Sequence, residues 1–194
     1  MSEQLSLMGF DATFRSTDGL FFAILPDMSA AARIAQLARH LRGELGLKGE
    51  PFALERLHIS LHYLGDYEGI PPGIVAAAHE AAATVAMPRF DIAFNRAMSF
   101  SGKAGNLPFV LCGDDGVAGL MMLHQRLGTA IRNAGLWRWV KPHYTPHMTL
   151  LYDADRVIGR AIETVRWTAR EFVLVHSLHG RNRYVVLARW PLSG

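Results

Sequence analysis

Two short stretches of this chain share one pattern: Leu57-His58-Ile59-Ser60-Leu61 and Pro146-His147-Met148-Thr149-Leu150. Both contain His-x-(Ser or Thr)-Leu, and both sit in apolar surroundings that are typical of a strand. Residues i and i+2 of a β-strand point to the same face. We therefore expect the histidine and the hydroxyl residue of each stretch to share one face, while the apolar residues between them anchor the strand in a core.

An imidazole and a hydroxyl on each of two strands form a set that suits acid–base chemistry on a phosphate. If both strands face one cleft, one imidazole can take a proton, the other can give one, and the hydroxyls of Ser60 and Thr149 can hold oxygens. A single match means little in a chain with nine histidines, and a third match, at residues 143–145, is interrupted by Pro146. What favours a functional site is the presence of two matches, each of which lies in a strand pattern.

Each motif follows the same order of predicted elements. In the first half, a strand over 20–25 precedes a helix over 29–45, and in the second half, a strand over 107–113 precedes a helix over 117–134. The motif histidine follows the start of the first strand by 38 residues in one half (Leu20 to His58) and by 40 in the other (Leu107 to His147). This similarity predicts a duplicated unit whose motif strands meet across a cleft. Other segments predict a helix over 72–85 and strands over 90–94, 170–177 and 183–190.

Composition limits the remaining possibilities. The 194 residues are half apolar and contain no linker, which predicts one domain over 19–194 after a flexible arm over 1–18. The net charge of +3 is compatible with a phosphate-bearing ligand but is far from a histone-like excess. Cys112 is the single cysteine, so it cannot form a disulfide within the chain, and its apolar neighbours favour a buried thiol. With no signal pattern and no membrane-length apolar run, we expect a cytoplasmic monomer.

The two motifs and their surroundings resemble the 2H phosphoesterases, and most closely the bacterial 2′-5′ RNA ligase / RNA 2′,3′-cyclic phosphodiesterase group. The segments that carry this resemblance are 20–24, 57–65 and 146–151, and the closing strands over 172–177 and 184–192 are also similar. The resemblance covers most of residues 20–192. It implies an α+β fold that is bilobal and duplicated, with two antiparallel sheets lining a central cleft and helices outside.

The same resemblance implies roles for the motif residues. His58 would donate a proton to the leaving oxygen, and His147 would be the base that activates water. Ser60, which replaces the commoner Thr, and Thr149 would hold the non-bridging oxygens. The reaction would open the 2′,3′-cyclic phosphate of RNA or a nucleotide to a 2′-phosphate without a metal or cofactor, and the same residues could serve 2′-5′ RNA ligation.

Other residues are predicted to bind substrate. Tyr152 stands where similar proteins often carry Arg, so the missing charge is expected from Arg181, Arg183 or Lys141. His62 has the parity of His58, so it faces the cleft or else bonds a backbone carbonyl. Phe22 is either a core residue or a stacking platform for a base. His176 and His179 lie near a strand end and could suggest a metal site, but they lack paired ligand spacing. The alternative function is a non-catalytic module that binds RNA or nucleotide in the same cleft.

Overall fold

The computed structural model describes residues 16–181 and 183–194. Along them lie the strands and helices β1 (Asp18–Ile24), α1 (Met28–Glu44), β2 (Ile59–Tyr67), α2 (Pro72–Ala83), β3 (Phe90–Ser99), β4 (Leu107–Cys112), α3 (Ala118–Asn133), β5 (His147–Asp153), β6 (Arg160–Ala169), β7 (Glu171–Leu178) and β8 (Arg183–Pro191). Two short 3-10 helices, Leu54–Arg56 and Trp137–Trp139, precede the motif strands.

The strands form two four-stranded antiparallel sheets with matching designs. The first sheet has the order β2-β1-β7-β8 and the second has the order β5-β4-β3-β6. A motif strand therefore forms one edge of each sheet. The two motif strands, β2 and β5, contact each other. The fold is the predicted α+β arrangement of two similar antiparallel sheets.

Local interactions determine where α1 begins and which of its sides is buried. Asp27 caps α1, because its carboxylate accepts the backbone N–H of Ala30 at 2.8 Å. The buried side of α1 repeats at helical spacing through Ile34, Ala38 and Leu41. Across the described parts of the chain, we find no helix with the length and apolar character that a membrane crossing requires.

One hydrophobic core joins the two sheets. It contains Phe22 and Phe172 from the first sheet and Phe94 and Phe109 from the second. Helix α1 connects β1 to β2 of the first sheet but packs against β5 and β6 of the second, while α3 contacts both β2 and β3. The two sheets are therefore held together by shared apolar packing.

The start of the chain and strand β6 differ from the sequence predictions. The predicted arm over 1–18 lies outside the described residues up to residue 15, and Thr17 is already bonded, since its N–H donates to the Tyr67 carbonyl at 2.9 Å. Strand β6 was not predicted at all. It is the outer strand of the second sheet, and only Val165, Trp167 and Ala169 of its ten residues are buried.

Candidate active site

Each motif strand carries an extra residue at the leucine of its motif, and β2 carries a second one at Leu64. Ala23 pairs with Ser60 whereas Phe22 pairs with His62, so Leu61 is extra on β2. In the second sheet Val110 pairs with Thr149 and Phe109 pairs with Leu151, so Leu150 is extra on β5. An extra residue of this kind reverses which face the following side chains take. The duplication thus extends to a local irregularity placed identically after both hydroxyl residues.

The ring of His58, which directly precedes β2, is oriented by residues two positions before and after it. Nδ1 lies 2.8 Å from the backbone carbonyl oxygen of Arg56, and Nε2 lies 3.1 Å from Ser60 Oγ. A carbonyl can only accept, so Nδ1 carries the proton in the neutral ring and Ser60 donates its O–H to Nε2. The rings of Phe21 and Tyr184 pack against the imidazole at centroid distances of 5.0 and 5.3 Å. His58 is therefore half-buried in an aromatic setting.

His147 repeats this orientation in the other sheet. Its Nδ1 lies 2.7 Å from the carbonyl oxygen of Thr145, again two residues earlier in the chain. The ring of Phe100 packs against it at 5.0 Å. Nε2 therefore bears no proton in either neutral imidazole, and it is the nitrogen that can take a proton or later give one.

The electrostatic setting of His58 favours its neutral form. Burial lowers the pKa of His58 to about 4, and the charges of His147 and Arg56 add to this effect, although the hydrogen bond to the Arg56 carbonyl opposes it. The influence of His147 means that the charge of an imidazole on the second sheet reaches His58. A bound anion between them would raise the pKa again, because it favours the imidazolium form.

A cavity of about 340 Å³ lies between the two motifs. Ser60 and Tyr63 of β2 line one side, and Phe100 and His147 line the other. The chain segment before β5 completes the wall with Trp139, Lys141, His143, Tyr144 and Thr145. Trp139 reaches this place because it packs on Gly65, where φ is +112° and an added Cβ would lie 2.4 Å from the indole ring. The cavity has the size and aromatic lining of a site for a small organic ligand.

Comparison with known proteins agrees with this arrangement. A model of the 2′-5′ RNA ligase superfamily matches residues 25–181, which is more than half of the chain. The chain belongs to this superfamily. The predicted resemblance to 2H phosphoesterases is thereby confirmed.

Relatives within the 2′-5′ RNA ligase superfamily indicate an enzyme of the phosphodiesterase type. The chain is 30% identical to the RNA 2′,3′-cyclic phosphodiesterase of Escherichia coli (strain K12) over 183 residues, covering 90% of this chain and 96% of that one. Escherichia coli LigT crystallised with 3′-AMP superposes with a TM-score of 0.69 at 26% identity, covering 91% and 99% of the two chains. LigT with phosphate gives 0.66 at 25% identity, with coverage of 93% and 100%.

Two of the residues predicted to bind substrate are buried, although His62 also lines the cavity between the motifs. Phe22 is 0% exposed and packs among Phe172 and Trp190, so its proposed role as a stacking platform is wrong. His62 is 2% exposed and donates Nε2–H to the carbonyl oxygen of His124 at 2.9 Å. The extra residue Leu61 explains the parity error, because it turns His62 to the side of its partner Phe22.

The same irregularity places two tyrosines on the cleft side. Tyr152 pairs with Pro108 beyond the extra Leu150, and it is 42% exposed. Tyr63 occupies the equivalent place, five residues after its motif histidine, and is 40% exposed. Sequence parity had concealed this equivalence. Tyr152 therefore stays a predicted substrate contact, and Tyr63 joins it.

Arg181 and Arg183 are less favourably placed than expected. Arg181 is exposed in the turn after β7. Arg183 precedes Tyr184 in β8, and successive residues of a strand point to opposite faces. Because Tyr184 packs on His58, Arg183 lies on the face away from that histidine. Lys141 lines the cavity and remains a predicted cation there.

His176 and His179 pair with carboxylates. His176 Nε2 lies 2.5 Å from Asp18 Oδ1, and His179 Nε2 lies 3.3 Å from Asp66 Oδ1. Within residues 16–181 and 183–194, no group of three His, Cys, Asp or Glu side chains could hold a metal ion. Cys112 is buried, and burial raises the pKa of its thiol.

Proposed function

We propose that this protein hydrolyses the 2′,3′-cyclic phosphate of RNA or of a nucleotide to a 2′-phosphate. The observation that carries the proposal is the matched pair of imidazoles. Each has Nδ1–H held by the carbonyl two residues earlier, the two lie at the start of motif strands of different sheets that contact each other, and the charge of His147 acts on His58. Two such groups on either side of one phosphate can act as acid and base in one displacement.

The proton transfers balance as follows. Nε2 of His147 accepts a proton from water as the water oxygen bonds to phosphorus. The bond between phosphorus and O3′ breaks, and His58 gives its Nε2 proton to O3′. The hydroxyls of Ser60 and Thr149 donate to the non-bridging oxygens, where charge accumulates in the transition state. With a 5′-hydroxyl in place of water as the nucleophile, the same displacement of O3′ would form a 2′-5′ linkage, so the same residues could serve 2′-5′ ligation.

His58 must be protonated to act as the acid, although burial favours its neutral form in the free protein. The substrate phosphate supplies the compensating charge, because an anion within a few ångströms of an imidazole raises its pKa. The acid would therefore be charged only when substrate is present. This couples proton uptake at His58 to phosphate binding.

A nucleotide substrate is supported by the cavity and by the relatives. Phe100, Trp139 and Tyr144 give the cavity aromatic walls beside the motif residues, and aromatic side chains bind bases by stacking. The Escherichia coli relative is named an RNA 2′,3′-cyclic phosphodiesterase, and LigT was crystallised with 3′-AMP. As part of the same proposal, the protein works as a monomer in the cytoplasm.

The test is turnover of the four 2′,3′-cyclic nucleotides and of short RNAs with a cyclic end. Phosphorus NMR identifies the oxygen that keeps the phosphate, and we expect the 2′ oxygen. His58→Asn and His147→Asn should each reduce the rate on the order of 10²-fold or more. His40→Asn is the matched control, since His40 lies exposed on α1 and pairs with Glu44.

Three results would contradict the proposal. They are a 3′-phosphate product, full activity in either motif variant, and tight nucleotide binding without turnover of any cyclic substrate. The last result would favour the non-catalytic binding module.

A further inference from the structure

Three aromatic rings from separate parts of the fold stack on one another at the wall of the candidate site. The ring centroid of His62, on β2, lies 4.0 Å from that of His124, on α3, and the two planes are 18° apart. Tyr144, in the segment before β5, lies 4.0 Å from the same His124 ring with the planes 3° apart. Two rings cannot occupy one face of an imidazole, so His124 is the middle ring. All three residues line the cavity between the motifs.

Helix α3 holds His62 with backbone atoms. His62 donates Nε2–H to the carbonyl oxygen of His124 at 2.9 Å. Gly128 lies four residues further along α3, on the same side of the helix, and a Cβ there would come within 3.1 Å of His62 Cε1. The missing side chain at Gly128 therefore makes room for the His62 ring. The side chain of His124 is left to stack between His62 and Tyr144.

The two histidines of the stack favour their neutral forms. Burial lowers the pKa of His124 to about 4, and the charge of His62 adds to this effect. Burial also lowers the pKa of His62, although its hydrogen bond to the His124 carbonyl opposes the change. Near neutral pH the stack therefore holds its members by packing rather than by charge.

The last ring of the stack adjoins the carbonyl that orients the second motif. Tyr144 directly precedes Thr145, whose carbonyl oxygen lies 2.7 Å from Nδ1 of His147. Residues 143–146 lie in no helix or strand, so side-chain packing has to position them. Pro146 is buried and restricts the backbone of Thr145 from the other side. The Thr145 carbonyl is thus held between the stacked Tyr144 and a buried proline.

We propose that His124 is a positioning residue for the second motif. Its ring holds Tyr144, and Tyr144 sets the place of the Thr145 carbonyl that orients His147. The inference rests on the proposed function only for the role of His147 as the base. Without the middle ring, the carbonyl would shift, and the imidazole would lose the bond that selects its tautomer. The competing role for His124 is direct stacking on a substrate base.

The first measurement is made on the free protein and needs no activity. His124→Ala removes the middle ring but keeps the backbone carbonyl that His62 bonds. Imidazole nitrogen NMR above about pH 8, where an ordinary imidazole is neutral, shows which nitrogen carries the proton. We expect the His147 signals to move toward a mixture of tautomers in His124→Ala. The His58 signals should stay, because the carbonyl that orients His58 ends the 3-10 helix Leu54–Arg56.

Two further variants separate this role from general destabilisation. His124→Phe restores a ring that can stack between the same neighbours, so the His147 signals should return toward those of wild type. His79→Ala is the matched control, since it removes a histidine that packs on Trp190 at 4.9 Å on α2. If His124→Ala does not fold, Tyr144→Leu removes the next ring of the stack and carries the same expectation.

The second measurement is steady-state kinetics on a 2′,3′-cyclic nucleotide. We expect kcat to fall on the order of tenfold or more in His124→Ala, with little change in KM, because a misplaced base lowers the rate. His124→Phe should recover most of this loss. If the wild-type protein turns over no cyclic nucleotide, altered His147 signals in His124→Ala still support the inference, and only the proposed function is removed.

Three results would overturn the inference. The first is a set of His147 signals that His124→Ala leaves unchanged. The second is an equal change in the signals of His58 and His147, which would indicate a general loosening of the fold. The third is a raised KM with kcat and the free-protein signals unchanged, which would assign His124 to direct contact with the substrate base.

Discussion

The hydroxyl oxygen of Ser60 lies 3.1 Å from Nε2 of His58, the nitrogen that gives its proton to the leaving oxygen in the proposed mechanism. In the neutral ring the hydroxyl donates to this nitrogen, and when the ring is protonated the direction of the bond reverses. In the proposed mechanism, substrate binding would exchange this contact between His58 and Ser60 for contacts to phosphate. The dyad is already assembled in the unliganded protein.

Removal of this hydroxyl should reduce catalysis more than binding. We expect Ser60→Ala to lower kcat on the order of 10²-fold, because a donor to the developing oxyanion is lost. Ser60→Thr keeps the hydroxyl and should stay within a few-fold of wild type, as measured by steady-state kinetics on a cyclic nucleotide. Equal activity of Ser60→Ala and Ser60→Thr would show that the hydroxyl takes no part.

The titration of His58 should depend on ligand. In the free protein its ring should titrate near 4, since burial lowers its pKa to about 4. Bound 2′-AMP should raise this pKa, because the phosphate stabilises the imidazolium. As the acid, His58 must hold its proton in the complex, so kcat should fall as the pH rises through the raised value. NMR of the imidazole resonances with and without 2′-AMP measures both values, and a pKa unmoved by ligand would contradict the acid role.

A buried carboxylate next to the second motif should contribute to stability. Asp153 accepts backbone N–H groups of Lys48 at 2.6 Å, Gly49 at 2.7 Å and Asp155 at 2.9 Å, and these bonds lower its pKa. Asp153→Asn cannot satisfy all three, so we expect a loss of about 1–3 kcal/mol in the free energy of unfolding. Chemical denaturation measures this loss, with exposed Asp155→Asn as the control.

The lowered pKa of Asp153 determines how its contribution to the free energy of unfolding depends on pH. The contribution of Asp153 is present above the ordinary value of 3.8 and is lost as the pH falls through the folded-state pKa. The difference between wild type and Asp153→Asn should therefore shrink below about pH 4. A difference that is independent of pH down to 2 would argue against an ionised Asp153 in the fold.

The proposed chemistry uses only imidazole and hydroxyl side chains, so chelation should not affect it. We expect the rate on cyclic nucleotides to be unchanged after dialysis against EDTA. A loss of activity that a divalent cation restores would contradict the two-histidine mechanism.

The sequence was sufficient for the main architecture because hydrophobic periodicity marks strands that are buried on at least one face. The strands 20–25 and 107–113 and the three helices follow such patterns. Strand β6 does not, because it is an outer strand whose residues before Val165 are largely solvated. Tertiary pairing, rather than its own composition, makes it a strand.

Side-chain direction within the site could be predicted only as far as simple alternation holds. His58 and Ser60 precede Leu61, and alternation is correct for them. Beyond it, alternation gives the wrong face for His62, and no sequence signal marks the extra residue.

The first sheet is discontinuous in sequence, since β1 and β2 come from one end of the described chain and β7 and β8 from the other, whereas the second sheet occupies only 90–169. During synthesis on the ribosome, the second sheet can therefore pair as soon as β6 emerges. In the first sheet, β1 and β2 can pair with each other early, but the other edge of β1 has no partner until β7 emerges. Translational arrest before residue 171 would leave β1 as an unpaired edge, open to association with other nascent chains.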